Sequence, residues 1–131
     1  MQKTDIRKLL KDPSLLKEEA FINGEWCKSN SGKTFAVHNP ATGELIANVS
    51  NLEPSDAERA IESAEHAFQS WKSKTGKERA AVMRKWFDLI IQNTQDLATL
   101  MTLEQGKPLT EAAGEVAYGA SFVEWFAEEA K

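Results

Sequence analysis

Between Glu115 and Glu129 the chain carries a helical pattern with almost no polar side. Val116, Ala120, Val123 and Ala127 form one apolar stripe, while Tyr118, Phe122, Trp125 and Phe126 occupy much of the remaining circumference. A helix that is apolar nearly all round is normally sandwiched between layers, because one packed face leaves the other greasy in water. This segment therefore demands neighbours on two sides. The run Leu103-Glu104-Gln105-Gly106-Lys107-Pro108 before it reads as a helix stop followed at once by a helix start. Gly106 suits the left-handed residue that closes a helix, and Pro108 suits the first turn of the next.

The rest of the chain supplies few candidates for those neighbours. After Pro54 the apolar period becomes 3.6, with Ala57, Ala60, Ile61, Ala64, Phe68 and Trp71 on one face. Ser55-Asp56-Ala57-Glu58 has capping-box spacing at its start, and Thr75-Gly76-Lys77-Glu78 repeats it. A long second helix, with Met83, Phe87, Ile90, Leu97 and Met101 in a stripe, is expected to run to Gly106. The third helix runs from near Pro108 to the end.

Upstream the pattern is β-rich. Asn23-Gly24 between apolar residues is a strong hairpin signal, since both central positions of a type I′ turn need positive φ. Thr34–His38 and Leu45–Val49 read as strands joined by a turn over 39–44. Short helical turns are expected around Ile6–Leu10 and Ser14–Glu19, interrupted at Asp12-Pro13. The organisation is an N-terminal leader (1–14), then one α/β segment (15–131), β-rich over 20–50 and helical over 55–131 with three α-helices. These strands and the first two helices suffice to cover one side of the third helix, hardly both. The fold is expected to be incomplete as a domain.

Composition narrows the function classes. With 41% hydrophobic and 27% charged residues the profile is globular rather than disordered. A formal net charge of −4, with Lys and Arg scattered among acids, gives no footprint for nucleic acid or an anionic membrane. No apolar run approaches a membrane span of roughly 20 residues. The leader mixes Asp5 with Lys3, Arg7, Lys8 and Lys11 and has no cleavable apolar core, so no secretory signal is expected. Cys27 is the single cysteine, which excludes an internal disulfide and fits a reducing compartment, read as the cytoplasm.

Chemistry-bearing clusters are sparse. The seven glycines are dispersed, with no glycine-rich loop to cradle a dinucleotide phosphate. Cys27 has only Lys28 as a neighbouring cation in sequence, which reads as an ordinary thiol rather than a nucleophile. His38 and His66 lack metal-ligand spacing to a second His or Cys. Glu18-Glu19 and Glu128-Glu129 read as solvated charge, Lys107 as part of the turn into the third helix, and the four tryptophans as packing residues.

Five stretches in order carry a resemblance. Phe21-Ile22-Asn23-Gly24-Glu25-Trp26, then Val37-His38-Asn39-Pro40-Ala41-Thr42-Gly43-Glu44, then 64–71, then Glu104-Gln105-Gly106-Lys107-Pro108, then 115–129 resemble the N-terminal part of the aldehyde dehydrogenase family. Residues 101–109 and 120–129 look most like its succinate-semialdehyde dehydrogenases. The resemblance spans residues 15–131 and only about the first quarter of the family's usual length, so a truncated chain is expected.

What the resemblance implies is a three-layer α/β enzyme, a homo-oligomer, oxidising succinate semialdehyde to succinate with NADP or NAD. Glutarate semialdehyde is the alternative substrate. The family's catalytic cysteine, catalytic glutamate, dinucleotide motif and carboxylate-binding arginine have no counterpart here, so no catalytic or cofactor-binding residue is carried over. Two lesser assignments are. Backbone oxygens of Val37 and His38 with the Glu104 carboxylate match a monovalent cation site. Tyr118 and Phe122 match part of a substrate tunnel. The isolated chain is expected to be inactive and to bind no cofactor. Its partner is the rest of the fold or, if the chain is a noncatalytic remnant, full-length subunits.

Overall fold

The computed structural model describes residues 5–131; the first four residues of the leader reading lie outside them. Asn23, at φ 53°, and Gly24, at φ 79°, make the expected tight turn. It joins β1 (Ala20–Ile22) to β2 (Glu25–Cys27) in an antiparallel pair with Phe21 opposite Trp26. Those two rings lie 5.1 Å apart. A second hairpin pairs β3 (Thr34–His38) with β4 (Leu45–Ser50), and a bulge shifts the register between Val37 and His38. Asn39 closes its turn three ways. Its amide donates to the Glu44 carbonyl at 2.9 Å, its carbonyl accepts from Gly43 at 2.8 Å, and its side chain accepts from Ala41 at 2.9 Å.

Four helices follow, where the sequence reading has three: α1 (Pro54–Ser73), α2 (Gly76–Gln92), α3 (Thr94–Gln105) and α4 (Leu109–Glu129). The expected second helix is divided at Asn93, whose φ of −101° and ψ of 14° leave the helical basin. Its side-chain amide donates to the Leu89 carbonyl at 2.8 Å, and the Thr94 hydroxyl donates to Ile91 at 2.8 Å. Short polar side chains that take backbone carbonyls in this way compete with the helical ladder.

The start of α1 also differs from expectation. Its cap is Glu53, whose amide donates to Asp56 Oδ2 at 3.0 Å, so the capping acid is Asp56 and not Glu58. Pro54 accounts for the shift, since its fixed φ and missing amide suit the first helical position. The second box forms as read: Thr75 donates to Glu78 Oε2 at 2.7 Å, and the Glu78 amide returns to Thr75 Oγ1 at 3.3 Å.

Two apolar clusters hold these elements. Ile6, Leu10 and Leu16 are buried with Ile46 and Ala47 of β4, and Val37, Leu100 and Leu103 pack against them. Ala98 of α3 is buried with Ala112 and Val116 of α4, flanked by Ile90, Leu97 and Met101. Helix α4 lies on α2 and α3, and Arg84 of α2 pairs with Glu124 at 2.7 Å. The expected apolar face of α1 stays largely uncovered, with Ile61 67% and Phe68 54% exposed. Among the described residues, no helix is long and apolar enough to cross a membrane.

Candidate functional site

Three places gather side chains of interest. The first is the meeting of the β3–β4 turn with the end of α3. Val37 shares its cluster with Leu100 and Leu103, which holds strand β3 beside α3. Gly106 closes α3 at φ 80°, its amide donating to the Thr102 carbonyl at 2.8 Å. A Cβ placed on Gly106 would stand 3.1 Å from Pro40 Cγ, so the turn after His38 sits directly on the helix end. Both His38 and Glu104 are exposed, and Val37 is half-buried. Glu104 borders an open groove with Met101, Gln105 and Glu115. The structure thus joins the segments carrying Val37, His38 and Glu104 through Pro40 and Gly106. Lys107, at the turn into α4, is ion-paired with Glu115. Among the described residues, no three His, Cys, Asp or Glu side chains converge on a common metal position.

The second place is the outer face of α4. Ala112, Val116, Ala120 and Ala127 are buried, while Tyr118 is 68%, Phe122 47%, Trp125 65% and Phe126 55% exposed. At 3.6 residues per turn, Trp125 stands across the helix from the buried stripe. Tyr118 and Phe122 stack edge to face with centroids 4.9 Å apart. Ser121, Phe122, Trp125 and Phe126 line a shallow groove beside them. One side of the helix is covered and the other is open, as the sequence pattern requires of these elements.

The third was legible in sequence only as the helix-start spacing around Asp56. Asp56 is fully buried and accepts hydrogen bonds from Ser29 Oγ at 3.1 Å, the Asn30 amide at 3.2 Å, the Glu53 amide at 3.0 Å and Arg59 at 3.2 Å. The Glu53 amide does most to hold this carboxyl below its ordinary value of 3.8, against the opposing effect of burial. Arg59 also donates toward Cys27 Sγ at 3.8 Å, and the thiol donates to the Ala20 carbonyl at 3.5 Å. The cation beside Cys27 is therefore Arg59, which folding brings from α1. With every lone pair of Asp56 engaged, the cluster ties the 28–33 loop to α1 and offers no acceptor to a substrate.

Comparison with known proteins places this arrangement. The model of the Aldehyde dehydrogenase family matches residues 26–131. A 3-sulfolactaldehyde dehydrogenase of Pseudomonas putida is 57% identical over 93% of this chain, and a glutarate-semialdehyde dehydrogenase of the same species is 56% identical over 93%. The crystal structure of a succinate-semialdehyde dehydrogenase from Burkholderia pseudomallei superposes with a TM-score of 0.90 at 56% identity, over 92% of this chain. In each case the chain spans 25% of the relative's length. The backbone of the hairpins and helices thus follows a known pattern, and the chain belongs to the aldehyde dehydrogenase family.

Proposed function

We propose that this chain forms the opening quarter of an NAD(P)-dependent aldehyde dehydrogenase, with succinate semialdehyde as the favoured substrate. The observation carrying the family reading is the shared backbone, a TM-score of 0.90 at 56% identity to a succinate-semialdehyde dehydrogenase, while the choice of succinate semialdehyde rests on the resemblance of residues 101–109 and 120–129. The three relatives named above act on aldehydes that end in a carboxylate or sulfonate, so the substrate class is a small aldehyde with an anionic far end. In the complete enzyme a bound nicotinamide would supply the hydride acceptor for converting the aldehyde and one water to a carboxylate, with two protons released. A thiolate nucleophile and a carboxylate base supply that chemistry in the family. Neither is assigned to a residue of this chain.

This segment's own contributions are positional. Val37 and His38 carbonyls with Glu104 hold a monovalent cation, an assignment supported by the approach of Pro40 to Gly106 and by the hard oxygen donors that such ions require. Tyr118 and Phe122 line the approach to the substrate site, supported by their place on the open face of α4. The division into a leader (1–14) and a family segment (15–131), homo-oligomeric assembly, and action in the cytoplasm, a reducing compartment suited to a lone thiol, complete the reading. Alone, the 131-residue chain has no dehydrogenase activity.

The test is a graft. Residues 15–131 replace the matching quarter of the Burkholderia enzyme, and reduction of NAD and NADP is followed with succinate and glutarate semialdehydes. The expected result is dehydrogenase activity, higher with succinate semialdehyde. A soluble graft inactive with both aldehydes rejects the proposal.

A further inference from the structure

We infer that the N-terminal stretch 5–19, which includes the leader, is a strap that opens and closes as one unit, and that Asp96 is the latch holding it shut against α3. The inference goes beyond the reading above and does not depend on it, since every contact it uses lies within this chain. The strap contains two short 3₁₀ turns, Ile6–Leu9 and Pro13–Leu15, which supply few hydrogen bonds of their own. At its far end the Glu18 carbonyl accepts the Ser50 amide of β4 at 2.8 Å, which makes a hinge. Arg7 returns to the Glu18 carboxylate at 3.2 Å, so the strap folds back on itself. Between these points Asp96 fastens the backbone, Oδ1 taking the Lys11 amide at 2.9 Å and Oδ2 the Asp12 amide at 2.7 Å.

Asp96 is the third residue of α3, the position from which an acid ordinarily turns back to cap its own helix. Here both oxygens accept leader amides instead, and the Asn93 side chain makes no cap bond either. Two charge-assisted bonds on one buried carboxylate make a strong fastening, because that carboxylate is costly to leave without partners. Asp96, Leu100 and Leu103 fall at i, i+4 and i+7, on one face of α3. Leu100 and Leu103 pack against the cluster that Ile6, Leu10 and Leu16 form with Ile46 and Ala47. The latch and the apolar grip therefore act on the same face, from the first turn of α3 to its last. Leu97, Ala98 and Met101, on the other side, belong to the cluster with α4. An open strap leaves α3 held chiefly from the α4 side and frees its closing turn at Gly106.

The experiment measures site-resolved amide exchange in the 131-residue chain, with limited trypsin cleavage after Arg7 and Lys8 as a second readout. In the native chain the Lys11 and Asp12 amides are expected to exchange faster than that of Ala120, in the buried stripe of α4. Asp96→Asn keeps one acceptor of the two. It is expected to speed cleavage, and exchange at Lys11, Asp12 and Gly106, by roughly tenfold or more, with Ala120 unchanged. Ile6→Ala with Leu10→Ala leaves Asp96 intact and is expected to do the same, which a role of Asp96 confined to its own helix would not produce. A common exchange rate for Lys11, Asp12 and Ala120 in the native chain means that the strap does not open separately, and overturns the inference. So does a Gly106 amide unmoved by either variant, or an Ala120 amide that accelerates together with the strap.

Discussion

Asp56 shows how one side chain can be half legible. Its place near a helix start is visible because capping is local, but Ser29, Asn30 and Arg59 reach it only through folding. The Thr75–Glu78 box was readable in full because both partners lie within one turn. Asp96 was not readable at all. It is buried in the first turn of α3 and accepts the amides of Lys11 at 2.9 Å and Asp12 at 2.7 Å, pinning the leader from 85 and 84 residues away. The depressed carboxyl of Asp56 carries a pH prediction. A carboxylate held below its ordinary value of 3.8 contributes stability that is complete above that value and is lost as pH falls through the lower folded-state value. Asp56→Asn cannot titrate. Urea midpoints should therefore show the native chain well above the variant at pH 7, with the gap closing as the solution is taken below pH 3.8. A gap independent of pH would contradict this account.

At the scale of elements, what the sequence revealed best were punctuation marks. Asn23-Gly24 and Gly106 were legible because positive φ is costly for other residues. The break at Asn93 was missed because the apolar stripe continues across it, from Ile90 to Leu97, while the interruption lies in side-chain bonds to carbonyls. Gly106 meets two constraints at once, its left-handed backbone and the nearness of Pro40. Gly106→Ala is expected to destabilise the chain by about 1–2 kcal/mol, chiefly from the left-handed conformation. Thermal unfolding measures it. An unchanged midpoint would mean that the α3 end and the Pro40 turn are not held together as described.

For the whole molecule, the decisive feature is a mismatch between apolar residues and cover. Helices α2 and α3 bury one side of α4, and the four aromatics on its other side face water together with Ile61 and Phe68 of α1. The need for further layers was legible from residues 115–129 alone. The proposed cation position at Val37, His38 and Glu104 and the proposed tunnel lining at Tyr118 and Phe122 came from the family resemblance, because neither has a local pattern of its own in the sequence. The measurement that tests the central claim most directly is hydroxyl-radical footprinting of Trp125 and Phe126, in the 131-residue chain and in the active graft. The account predicts rapid labelling of both side chains in the chain and strong protection in the graft. Equal labelling in the two would contradict it.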